Sequence, residues 1–167
     1  MTDDRVTGVL VIRTALPAEA EAVAGLHQRA RSAYCPDGAP QDGAGLARAW
    51  LDVMARADGQ VLCAVEKARI VGAASFRTPD GSAADTVGLF QLHVDPGRWR
   101  AGIGTALHAA CVEQWRADGR RSAVLELHAD NLRTRAFCAR QGWVPDPADP
   151  PARGGSRLRL RYAVPGA

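Results

Sequence analysis

The chain has 167 residues, the size of one ordinary domain. Such a domain buries roughly 70% of its unfolded surface and needs no disulfide or metal to hold a core. Its composition of 47% hydrophobic and 23% charged residues excludes a disordered chain, and a net charge of +3 gives no argument for a nucleic-acid partner.

With only 5% aromatic residues, the core is expected to be mostly Ala, Val and Leu. Val9 to Arg13 is a short apolar run and reads as a first strand. Pro17 then opens a helix with Glu19 and Glu21 in its first turn, where carboxylates suit the helix dipole. Ala22, Val23, Leu26 and Ala30 form the stripe this helix should bury. Tyr34-Cys35-Pro36-Asp37-Gly38 breaks it, and a second helix is predicted from about Gly43 to Arg56 through Leu46, Trp50 and Val53.

Val61 to Glu66 and Ile70 to Phe76 read as a hairpin across Lys67-Ala68-Arg69. After a polar loop, Val87 to Val94 is a nearly continuous apolar strand of the kind found in mid-sheet. Asp95-Pro96-Gly97 ends it. From Gly102 the helical period is the clearest in the chain, with Ile103, Ala106, Leu107, Ala110, Cys111 and Trp115 at three- and four-residue steps. Ala123 to His128 is the next strand. Asn131 caps a short helix carrying Leu132, Ala136 and Phe137, Gly142 closes it, and Trp143-Val144 begins another strand. A last strand is predicted from Arg157 to Val164. With no repeat and no linker, residues 1–167 read as a single α/β domain, its sheet mixed because hairpins and crossovers are both present.

Cys35, Cys63, Cys111 and Cys138 lie far apart, without CxxC or metal-ligand spacing. The first residues, Met1-Thr2-Asp3-Asp4-Arg5, lack the apolar stretch of a signal peptide, and no run approaches the ~18 apolar residues of a membrane span. A cytoplasmic protein with reduced thiols, no bound metal and no membrane partner is expected. Arg157, Arg159 and Arg161 alternate with Leu158, Leu160 and Tyr162, which predicts a solvated strand face rather than an RNA-facing surface.

The segment Asp95-Pro-Gly-Arg-Trp-Arg-Ala-Gly-Ile-Gly-Thr105 joins a buried strand to a strong helix. Gly102 and Gly104 lack Cβ, so the backbone can approach a ligand and present its N–H groups. The helix N-terminus adds unpaired donors, giving an anion site without any lysine. A dinucleotide fingerprint fails because Leu107 stands where its third glycine belongs, and a P-loop fails for want of Gly-Lys-Ser/Thr. Taken alone, the segment fits a turn with two convenient glycines equally well.

Downstream, Leu125-Glu126-Leu127-His128-Ala129-Asp130-Asn131 is followed by Ala136-Phe137 and then Gly142-Trp143. In this order and separation, the two blocks resemble the GNAT N-acetyltransferases. The resemblance implies a single-domain α/β fold with a central mixed, mostly antiparallel sheet of about seven strands. About four helices would flank it, and the fourth and fifth strands would splay apart. It implies acetyl-coenzyme A as co-substrate and transfer of its acetyl group to an amine, on a small molecule or a protein N-terminus.

Roles follow position by position. Main-chain groups of Leu92, His93 and Val94 would lie along the pantetheine arm like an added strand, and the Val94 N–H would polarise the thioester carbonyl. Amides of Trp99, Arg100, Ala101, Gly102, Ile103, Gly104 and Thr105 would hold the pyrophosphate. Arg98, Arg100 and Arg133 would meet phosphates, Asn131 would bond the pantetheine, and Phe137 would pack near the thiol. Glu126, which matches a glutamate some members use, is the first choice for the base, with His93 second. Gly88 and Phe90 stand where other members place a base. Trp99 replaces a common Arg or Gln. Cys138 stands where many members carry the tyrosine that protonates the leaving thiolate, so Cys138 or water would supply that proton.

The acceptor would enter between the first two helices and the C-terminal hairpin, near Tyr34, Asp37 and Asp42. A binding module that uses coenzyme A as ligand or sensor is the alternative, and a homodimer is left open.

Overall fold

The computed structural model describes residues 9–35, 37–38, 42–151 and 153–166. In chain order these form β1 (Val11–Thr14), α1 (Ala20–Tyr34), α2 (Gly43–Met54), β2 (Gly59–Glu66) and β3 (Arg69–Arg77). Then follow β4 (Thr86–Val94), α3 (Ile103–Ala117), β5 (Ser122–His128), α4 (Leu132–Gln141), β6 (Val144–Pro145) and β7 (Arg157–Ala163). The strands join in one sheet of order β1-β2-β3-β4-β5-β7-β6, in which only β4 and β5 run parallel. Among the described residues no helix is long and apolar enough to cross a membrane.

Strand alternation divides the core into two layers. Val61, Cys63 and Ala73 face α1 and α2, where they pack with Val23, Leu26 and Trp50. Leu62, Ala74 and Phe76 face the other way, onto Leu107, Cys111 and Trp115 of α3. Two apolar stripes differ from expectation. Ala22 is exposed and Ala20, Ala24 and His27 are buried in its place, so α1 is turned toward its other flank. In α4, Leu132 and Ala136 are exposed, and the helix seats itself through Phe137 and buried Cys138. The β2–β3 turn is tighter than Lys67-Ala68-Arg69: only Lys67 and Ala68 form it, both at positive φ (50° and 60°), as a two-residue hairpin of right-handed twist requires.

The feature that creates a site is the parting of β4 from β5. The two strands pair through Thr86–Ser122, Val87–Ala123 and Gly88–Val124, and no further. On the other edge of β4 the register with β3 jumps: Ser75 faces Gln91 but Phe76 faces Leu89, leaving Phe90 as a bulge. A bulge bends its strand, and this one lies just past the last β4–β5 pair. Gly88 permits it, because a Cβ there would meet the Phe90 ring at 2.7 Å.

Candidate active site

The wedge between the diverging strands opens into a cleft of about 670 Å³. Its apex is formed by Leu89 and Leu125, immediately beyond the last β4–β5 pair, and its mouth by the loop 98–105. The main chain of β4 supplies one wall. The Asp95 N–H donates to the Val71 carbonyl at 2.8 Å, which sets the alternation of the β3–β4 ladder. Residues 91, 93 and 95 therefore bond β3, while the N–H and C=O groups of Leu92 and Val94 point into the gap. Apart from the Val94 carbonyl, which the Trp99 indole takes, these groups are ready to pair with an extended ligand.

At the mouth, the Asp95 carboxylate caps the turn by accepting the Gly97 N–H at 3.0 Å. Arg100 (φ 67°) and Gly102 (φ 80°) both take the left-handed conformation, which curls the backbone so that successive N–H groups converge. Gly102 is also the N-cap of α3 and has no side chain to cap with, so the first N–H groups of that 15-residue helix stay free. These donors and the helix dipole favour an anion. A Cβ on Gly104 would touch Phe137 at 3.4 Å and Val94 at 3.6 Å, inside the cleft wall.

Side chains around the mouth are committed in ways the sequence did not show. Arg98 pairs with Glu66 at 2.8 Å. Trp99 folds back so that its indole N–H donates to the Val94 carbonyl at 3.0 Å, and the Arg133 guanidinium lies over the Trp99 ring at 3.6 Å. Asn131 accepts the Thr134 N–H at 3.2 Å as the cap of α4, which leaves its amide N–H groups to donate. Of the residues expected to bind coenzyme, all except Ala101 line the cleft, as do Glu126 and Cys138.

On the α1 side of β4, His93 is 7% exposed and stacks on His27, with ring centroids 4.1 Å apart. Tyr34 lies parallel beyond it at 6.4 Å, and Trp50 donates its indole N–H to Nδ1 of His27 at 3.1 Å. Burial, helped by the nearby His27, pushes His93 down to about 3, and burial lowers His27 as well. Both imidazoles are neutral at ordinary pH. Glu126 sits at the same wall, paired with Arg157 and 4.0 Å from Arg159, which face His128 and Glu126 across the β5–β7 ladder. The arginine-rich strand is thus ion-paired at two of its three arginines, since Arg159 also lies 3.2 Å from buried Asp146. Tyr34 lines the cleft. Asp42 does not: its carboxylate caps α2 by accepting the Ala44 and Gly45 N–H groups at 3.1 Å. Asp37 is exposed and lies outside the cleft wall, while neighbouring Pro36 is outside the described residues.

On the α3 side the inner end is closed by Leu125, His108, Cys138 and Trp143, all under 9% exposed. Trp143 donates its indole N–H to Nε2 of His108 at 2.9 Å, which fixes that imidazole as neutral, and burial pushes it down to about 4. Burial likewise pushes the Cys138 thiol up to about 11. Among the described residues no group of three or more His, Cys, Asp or Glu is placed to hold a metal ion.

Residues 22–143 match the sequence profile of the acetyltransferase (GNAT) family. The chain belongs to the GNAT acetyltransferases. Solved GNAT structures agree in fold. The PaiA N-acetyltransferase of Thermoplasma acidophilum, solved with coenzyme A, superposes with a TM-score of 0.77 at 14% identity, covering 93% of this chain and 99% of its own. The ribosomal-protein-S18-alanine N-acetyltransferase of Escherichia coli gives 0.72 at 18% identity, over 95% and 96% of the two chains. Salmonella typhimurium YncA, solved with acetyl-CoA, gives 0.69 at 21%, over 95% of each chain. No curated protein matches the chain in sequence. Within this GNAT chain, His108 and the Trp143 that pairs with it are among the cleft residues that sequence reasoning missed. A histidine beside Leu107 in a helical stripe carries no signal that a distant indole will satisfy it.

Proposed function

We propose that this GNAT protein transfers the acetyl group of acetyl-CoA to a primary amine, of a small molecule or a protein N-terminus, by direct attack in a ternary complex. The observation that carries this reading is the open main-chain edge of β4, the N–H and C=O of Leu92 and the N–H of Val94, inside a wedge whose mouth is an anion-binding helix start. Pantetheine lies along β4 with its pyrophosphate on the loop 99–105, and the Asn131 amide reaches its arm. The thioester carbonyl takes the Leu92 N–H, deeper in the wedge than the Val94 N–H expected from the sequence, because Val94 lies beside Gly104 at the phosphate end; this N–H stabilises the oxyanion formed on attack.

In the transfer, the amine nitrogen bonds the thioester carbon, the C–S bond breaks, and the ammonium proton leaves by a base while the thiolate departs. An alkylamine with a pKa of ~10.4 is neutral only about once in 10³ molecules at pH 7, so removal of that proton matters. Glu126, on the acceptor side of β5 with Arg157 holding it in place, is the group we assign to relay it. His93 fits that role less well, because an imidazole pushed down to about 3 holds a proton poorly. The leaving thiolate has a conjugate acid near 8.5 and needs less help. Water returns its proton, because a Cys138 thiol at about 11 is a weaker acid than the coenzyme thiol; a thiol that stays protonated also disfavours an acyl-cysteine route. The unpaired thiols of the chain fit a cytoplasmic setting.

The test is steady-state thiol release from acetyl-CoA across a panel of amines and peptide N-termini. Sustained, amine-dependent turnover with intersecting initial-velocity lines is expected. Parallel lines, with an acetyl mass added to Cys138 by acetyl-CoA alone, would replace direct attack by a covalent route. Tight coenzyme binding without turnover on any amine would leave a binding module instead.

A further inference from the structure

We propose that the cleft takes acyl groups longer than acetyl, and that an unbranched aliphatic acyl chain of three or four carbons binds better than acetyl itself. This rests on the coenzyme reading above and concerns the far end of the same cleft. The direction is set by the topology. A pantetheine anchored at the loop 98–105 and laid along Val94 and then Leu92 points its sulfur toward the apex, where β4 and β5 meet.

That apex is not closed by polar groups. Leu89 and Leu125 form its two flanks, and Cys138, His108 and Trp143 form its floor on the α3 side. All five belong to the cleft wall although each is 9% exposed or less, so the wall continues into the apolar core beneath the strands. Trp143 donates Nε1–H to His108 Nε2, which leaves the His108 proton on Nδ1, and the imidazole sits edge-on to Trp115, Phe137 and Tyr162. The other polar groups of the floor are that one neutral Nδ1–H and the small Cys138 thiol. Such a surface offers methylene groups burial and offers a terminal carboxylate no cationic partner. Cys138 is the residue through which the depth of this floor is set, because it is the smallest side chain there.

The test reads binding, so it does not depend on finding the acceptor. Dissociation constants of acetyl-, propionyl-, butyryl- and succinyl-CoA are measured by calorimetry on the wild-type chain. About fourfold tighter binding is expected for propionyl over acetyl, from ~0.8 kcal/mol per buried methylene, with butyryl tighter again and succinyl weaker than butyryl. Cys138→Phe, or Cys138→Leu should the larger ring prevent folding, is expected to abolish the gain while acetyl-CoA still binds. Acetyl-CoA binding as tightly as propionyl- and butyryl-CoA, or a gain that survives the filled floor, would overturn the chain-length proposal alone. Failure of every thioester to bind would overturn the coenzyme reading beneath it.

Discussion

Gly104→Val is expected to weaken acetyl-CoA binding by about 100-fold, or ~2.7 kcal/mol, while the ligand-free protein still folds. The Cβ built at this position meets Phe137 at 3.4 Å and Val94 at 3.6 Å, ordinary contacts, so the first carbon fits. The two further methyls of valine have to enter the space where the first turn of α3 presents its N–H groups, and they hold the phosphates off those donors. Gly104→Ala should therefore lose much less. The pair of variants, compared by calorimetry after circular dichroism has confirmed the fold, separates blocked approach from damage to the helix. Unchanged affinity in a folded Gly104→Val protein would mean that the loop does not hold the coenzyme.

Glu126→Gln is expected to lower kcat/KM by about 10²-fold at neutral pH and to leave the coenzyme Kd little changed. The amide keeps the shape of the side chain and cannot take a proton. Glu126 is partly exposed and its partner Arg157 more so, so losing this pair should cost little stability. A Glu126→Gln protein with full kcat/KM and a lowered Tm would make Glu126 a structural partner of Arg157 and Arg159 and nothing more.

Much of this site was legible before any coordinates, because its main parts are local. Gly102 and Gly104 at a helix start, the apolar strand ahead of them and the Asn131 cap each follow from a few neighbouring residues, and all line the cleft. Strand alternation alone puts Glu126 and His128 on one face of β5, opposite buried Leu125. What the sequence hid depends on distant partners. The Phe90 bulge arises from the register of β4 against β3, and nothing in the nearly continuous apolar run Val87–Val94 marks its position. The pairing of Glu126 with Arg157 depends on β7 lying between β5 and β6, an order no local pattern encodes. His27 and His108 read as polar interruptions of helical stripes. Their burial is allowed by indole donors 23 and 35 residues away. Asp42 carried the opposite error: a carboxylate expected beside the acceptor entrance is one whose two oxygens the first turn of α2 already uses.

The most direct test of the coenzyme seat between β4 and β5 is a melting titration of the purified chain with acetyl-CoA, run beside NAD. At ligand near 100 times Kd, binding to the folded state alone contributes about 2.7 kcal/mol. Acetyl-CoA should give a clear upward shift in Tm that saturates. NAD shares the adenosine and pyrophosphate but lacks a pantetheine to pair with Leu92 and Val94, so its shift should be much smaller. Equal shifts from the two, or none from acetyl-CoA, would contradict the assignment of this wedge as the acyl-CoA site.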